Sequence, residues 1–160
     1  MKTLDSIDLH ILRLLQQYGR IKRGKIAEEV GLSLPSVSER MKKLEEAGLI
    51  QGYHAVLDAK PLGLDITAFV RVSVEPSRYY QDFVERAVQE PEVQEVHSIT
   101  GEGSHILKIR TKNTTTLEQL LSRIQSWPGV HGTSTSIVLS TYKETRNLPL
   151  PTPNPEPSTN

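Results

Sequence analysis

The chain has 160 residues, 36% of them hydrophobic and 24% charged, with 19 Lys and Arg balanced by 19 Asp and Glu. That length holds one ordinary domain or two small ones, and the apolar share supports modest cores. No apolar run approaches the roughly 18 residues of a membrane span, and the lack of Cys excludes disulfides and thiolate metal sites, which fits a reducing cytoplasm.

The charge balance hides an asymmetry. Residues 1–60 hold 10 Lys and Arg against 8 Asp and Glu, and residues 61–160 hold 9 against 11. The start of the chain carries Lys2, Asp5 and Asp8 and no apolar stretch of the kind a signal peptide needs. The first predicted helix begins after Leu4, with Asp5 as N-cap and Asp8 three residues on. Ile7, Ile11, Leu14, Leu15 and Tyr18 form one apolar stripe, and Gly19 closes it. A second helix over about Gly24 to Val30 turns Ile26, Ala27 and Val30 inward and ends at Gly31. Ser33 then caps a third helix with Pro35 in its first turn, where a missing N–H does no harm. Val37, Met41 and Leu44, spaced i, i+4, i+7, face its core.

Two short amphipathic helices meeting at Gly31-Leu32-Ser33, the second with a polar and basic outer face, read as a helix-turn-helix over about 23–42. Double-stranded DNA is the partner this implies. Lys22, Arg23 and Lys25 ahead of the turn, and Arg40, Lys42 and Lys43 within the third helix, are candidates for phosphate contact. On a wheel of about 100° per residue, Pro35, Ser36, Glu39, Lys42, Lys43 and Glu46 point away from the core, with Ser38 and Arg40 on the flanks. Ser36, Glu39 and Lys43 are the candidates for base edges, because the N-terminal half of such a helix goes deepest. Glu39 either accepts from a cytosine amine or pairs within the helix with Lys42 or Lys43.

Ile50 to Leu57 alternates enough to read as a strand, half of a short wing. The reading gives a DNA-binding domain over 1–57 and a linker over 58–64, with Pro61 and Gly63. From Asp65 the period becomes two. Ile66, Ala68, Val70, Val72 and Val74 predict a half-buried strand that Pro76 ends. A helix over Ser77–Glu90 follows, with Tyr80, Phe83, Val84, Ala87 and Val88 on one side. Strands over Val93–Thr100 and His105–Thr111 flank the turn Gly101-Glu102-Gly103-Ser104. A helix over Thr114–Trp127 buries Leu117, Leu120, Leu121 and Ile124, and a last strand runs from about Val130 to Lys143. The order βαββαβ is ferredoxin-like, so the fold class is α+β. Two helices cover one sheet face and leave the other bare, and a second copy of the chain is its simplest cover. Residues 148–160, with Pro at alternate positions, predict an extended, solvated, disordered tail.

Leu4-Asp5 with Asp8 and Ile11-Leu12; Gly31-Leu32-Ser33; Arg40 with Leu44-Glu45; Gly48-Leu49-Ile50; Thr100-Gly101; Val138-Leu139-Ser140-Thr141; Lys143-Glu144-Thr145; and Leu148-Pro149-Leu150 occur in this order. On them, residues 4 to about 150 resemble the Lrp/AsnC family of transcription regulators. The resemblance implies a winged helix-turn-helix domain and a C-terminal domain over 65–147 that binds ligand and dimerises. It further implies assembly into tetramers or octamers, with an amino-acid effector in a cleft between dimers. Carried onto this chain, that cleft takes Thr100, Gly101, Glu102, Gly103, Ser104 and His105, with Thr133 and Thr135 closing it. Ser104 stands where the family usually carries Asp, so the expected response to ordinary amino acids is weak or absent, because a hydroxyl cannot neutralise an ammonium. Glu102, two residues away, is the candidate to substitute for that Asp, though its side chain is expected to point elsewhere. Lys22-Arg23-Gly24 stands where a Ser N-cap is usual, losing a cap and adding charge.

Two other functions are open to such a chain. His10, His54, His97, His105 and His131 show neither metal-ligand spacing nor a nucleophile to pair with, and no phosphate-binding loop is present, which reads as no enzyme, no metal and no cofactor. An architectural DNA-compacting role differs from regulation by low sequence preference.

Overall fold

The computed structural model describes residues 4–151. They form two units: residues 4–56 together with 144–151, and residues 57–143.

The first unit is built on α1 (Ser6–Gln17), α2 (Arg23–Val30) and α3 (Leu34–Glu46). Each start follows from its sequence. The Asp5 carboxylate accepts from the Asp8 N–H at 2.8 Å and Asp8 returns the bond to the Asp5 N–H, a reciprocal cap for α1. Helix α2 starts at Lys22 without a side-chain cap, as the Lys-Arg-Gly departure predicts. It ends at Gly31, whose φ of 66° lies in the left-handed region that favours glycine. The three helices bury Ile11, Leu14, Ile26, Ala27, Val37, Met41 and Leu44 against one another.

The strand expected over Ile50–Leu57 does not form. The segment is irregular, and residues 51–57 are exposed. A lone strand leaves its ladder bonds unmade, and among the described residues of this unit no neighbouring strand takes them. Instead the Tyr53 hydroxyl folds back and donates to Glu45 Oε1 at 2.9 Å. The expected boundary at 147 also moves. Residues 144–151 belong to the first unit, where Leu148 lies along α1: its N–H donates to Gln16 Oε1 at 2.6 Å and its carbonyl accepts from Gln16 Nε2 at 3.2 Å. Arg13 donates to the Pro151 carbonyl. Leu148–Pro151 is thus extended but anchored; the rest of the predicted tail lies outside the described residues.

The second unit carries β1 (Ile66–Val74), α4 (Tyr80–Gln89), β2 (Val93–Ser98), β3 (His105–Thr111), α5 (Thr114–Gln125) and β4 (Val130–Ile137). The sheet order is β2-β3-β1-β4, all antiparallel, as a ferredoxin-like order requires. Ala68, Val70, Val72 and Val74 of β1 face Phe83 and Ala87 of α4 and Leu117, Leu120 and Ile124 of α5. Val88, expected inward, is exposed. Helix α4 begins three residues later than predicted, because Ser77–Tyr79 form a tighter 3-10 turn. Strand β4 stops at Ile137 rather than Lys143. The Val138 N–H reaches Thr67 O at 2.9 Å, and one residue before Thr67 the partner strand β1 begins, so the ladder has nothing more to pair with. Opposite the helices, β1 presents Phe69 and Arg71 beside Ile106 and Lys108 of β3 and Ser134 and Ser136 of β4. No helix of this unit covers that face.

Candidate functional site

Helix α3 turns its Val37-Met41-Leu44 stripe into the first unit's core and leaves Ser36, Glu39, Lys42 and Lys43 exposed, with Ser38 half-buried. Lys22, Arg23 and Lys25 are exposed around the start of α2. Sequence reasoning thus places its DNA-facing residues on the surface of one unit.

Their bonding divides them. The side chains of Lys22 and Arg23 make no hydrogen bond or ion pair among the described residues. Lys25 meets Glu28 at 3.1 Å and Glu29 at 3.3 Å, which raises its ammonium pKa above the usual value. Glu39 Oε1 lies 2.5 Å from Lys43 Nζ, and Lys42 similarly lies 3.7 Å from Glu46. Ser33 is the N-cap, and its hydroxyl sits 2.8 Å from that of Ser36. Arg40 belongs to the scaffold: its guanidinium is 2.7 Å from both Asp5 and Asp8, locking α3 onto the capping box of α1. Burial alone pushes the Asp5 carboxyl up, but the Asp8 N–H and the Arg40 guanidinium outweigh it and hold the group below its usual value. Sequence reasoning missed Leu34, the first residue of α3, which is 50% exposed. On a wheel it lies beside the core stripe, which disguised it.

In the second unit an open cleft of about 280 Å³ is lined by Arg71, Ser73, Glu102, Gly103, Thr133 and Ser134, with Gly132. Of the candidates from the sequence, Glu102, Gly103 and Thr133 line it. Thr100, Gly101, Ser104, His105 and Thr135 do not. Gly103 has φ 80°, and a Cβ there would stand 3.1 Å from the Val72 carbonyl, so glycine is required where the turn crosses β1.

Ser104 faces its own sheet. Its hydroxyl donates to Val72 O at 3.2 Å and accepts from the Val74 N–H at 3.0 Å, filling the ladder position where β1 runs past the start of β3. The hydroxyl also lies 2.9 Å from His105 Nδ1. His105 is fully buried, packed against Phe83 and Tyr80 at ring-centroid distances of 4.7 and 4.9 Å. Burial pushes its imidazole below the usual pKa. It is a neutral core residue. Thr135 pairs with Val70, whose side chain faces the helices. The expectation for Glu102 is corrected: it lines the cleft that Ser104 does not reach. Arg71 went unremarked in the sequence, since one Arg between Val70 and Val72 reads as a solvated strand position. Among the described residues no group of three His, Asp or Glu is arranged to hold a metal, and no helix is long and apolar enough to cross a membrane.

Comparison with known families matches residues 4–51 to a winged helix-turn-helix DNA-binding domain and residues 67–148 to the Lrp/AsnC ligand binding domain. An HTH-type transcriptional regulator, FL11, of Pyrococcus horikoshii is 40% identical over 147 residues, covering 92% of this chain and 97% of the relative. The leucine-responsive regulatory protein of Rhizobium meliloti is 38% identical over 120 residues, covering 74% of this chain and 77% of that one. Among solved structures, a feast or famine regulatory protein of M. tuberculosis complexed with L-methionine matches with a TM-score of 0.86 at 32% identity, over 93% of this chain and all of that one. A transcriptional regulator of Neisseria meningitidis, also in an L-methionine complex, gives 0.86 at 33% identity, over 92% and 97%.

Proposed function

Given that this chain belongs to the Lrp/AsnC family and is a DNA-binding transcription regulator of that type, we propose that it works as a homo-oligomer that reads duplex DNA with α3 and takes an amino-acid effector between Arg71 and Glu102. Its role is regulatory rather than catalytic, in the cytoplasm. The placement of Arg71 and Glu102 in one cleft carries the effector reading. A zwitterion needs a cation for its carboxylate and an anion for its ammonium, and the two flank the same space. The methionine complexes of two structural neighbours support the ligand class. Lys22 and Arg23 are the proposed phosphate contacts, with Ser36, Lys42 and Lys43 along α3.

Calorimetry of the full chain against the twenty amino acids tests this. The expected outcome is saturable heat with at least one of them, lost in Glu102→Gln and in Arg71→Gln alike. Ser104→Asp gains nothing, because a carboxylate there would face the Val72 carbonyl across about a hydrogen-bond length. Silence from the wild type with all twenty rejects the amino acid as effector.

The uncovered sheet face around Phe69 and Arg71 supports self-association: a second copy would remove Phe69 from water, and a closed two-fold pair brings the same patch together. Sedimentation at micromolar concentration is expected to give a dimer or larger assembly, and Phe69→Asp a smaller one. A monomeric wild type would refute this.

A further inference from the structure

Five outward polar groups of α3 are already engaged. The Ser36 hydroxyl is 2.8 Å from that of Ser33, Glu39 holds Lys43 at 2.5 Å, and Lys42 lies 3.7 Å from Glu46. Reading a base edge with any of them means giving up or sharing a bond they already have. Leu34 is different. Three residues before Val37, it sits about 60° from the core stripe, where a residue deeper in the helix would be covered. As the first helical residue it has no preceding turn beneath it, and helical side chains lean toward the N-terminus, so it projects past the helix end. Half its surface stays in water, next to Pro35, which is also exposed. A lone exposed leucine means little by itself. At the leading end of a helix that enters the major groove it has one apolar partner available on the base edges, the C5-methyl group of thymine.

We propose that Leu34 is a specificity-determining residue of this regulator, burying the methyl group of a thymine in each half-site. This rests on the reading of α3 as the groove-entering helix. No bond on α3 is broken in forming the contact, and the gain comes from water leaving two apolar surfaces.

The test begins with duplexes selected from a random pool by the full-length protein. Each thymine of the selected site is then replaced by uracil, which pairs identically and lacks only the methyl. The expected result is affinity lower by about fourfold per methyl, confined to symmetry-related thymines. In Leu34→Ala the thymine and uracil sites bind equally, with the salt slope of binding unchanged. Alanine is a better helix former than leucine, and an unchanged circular dichroism spectrum shows that α3 persists. Uracil sites that bind as well as thymine sites overturn the proposal. So does a uracil penalty that survives in Leu34→Ala, which would assign it to DNA shape. A pool that yields no selected sequence refutes sequence-specific reading itself, and this proposal with it, whereas the other two outcomes leave that reading standing.

Discussion

Replacing Phe83 by Ala is expected to lower the stability of residues 57–143 by about 3–5 kcal/mol, a large part of the roughly 5–15 kcal/mol that holds a domain folded. Phe83 is fully buried at the centre of the second unit's core. Its ring lies 4.7 Å from that of His105 and 5.7 Å from that of Trp127. The substitution leaves a cavity where three aromatic rings meet, and the strands above and the helix beside it can close only part of it. It also strips one apolar wall from the buried His105. Trp127 is the single tryptophan, so its fluorescence reports this core alone. The denaturant midpoint read from Trp127 should fall markedly in Phe83→Ala, while α1–α3 keep their helical signal at concentrations where it has already shifted. An unmoved fluorescence transition would mean that Phe83 is not the keystone of this packing.

Neutralising Lys22 and Arg23 together should flatten the salt dependence of DNA binding by roughly two units of slope, since each phosphate contact contributes about 0.9. On the same relation, affinity at 0.1 M salt falls on the order of 50-fold, and the deficit shrinks toward nothing as the salt approaches 1 M. Lys25 is held by Glu28 and Glu29, so adding Lys25→Gln to the pair should change the slope little further. Arg40→Ala serves as the contrast. It frees Asp5 and Asp8 from their shared partner and loosens α3, so it should lower the thermal midpoint of the helical signal without the same change in slope. Titrations at four or five salt concentrations separate the two effects. A double variant with the wild-type slope would remove these side chains from the phosphate interface.

Local rules account for what was readable in the chain. Asp5, Ser33, Gly31 and the two-residue period from Ile66 to Val74 act through neighbours a few positions away, and elements resting on them were found within a few residues of their ends. What could not be read depends on residues far apart in sequence. Arg40 looks like one more basic residue of a DNA-facing helix until Asp5 and Asp8, more than 30 positions earlier, are seen to claim it. Ser104 looks like a ligand contact until β1 is laid beside it, and Glu102 becomes a cleft residue by the same pairing. The false strand at Ile50–Leu57 is the converse case: its alternation is real, but alternation only permits a strand, and a partner is needed to make one. Leu34 misled because a helical wheel has no ends.

The grip of Gln16 on Leu148 bears on the order in which this protein can be assembled during synthesis. The three helices leave the ribosome first, yet the strip that lies along α1 is encoded beyond the whole of residues 57–143. Translation therefore delivers a reader of DNA whose first helix waits, side-chain amide unpaired, for the chain's return. The early part of the message is thus finished by the late part.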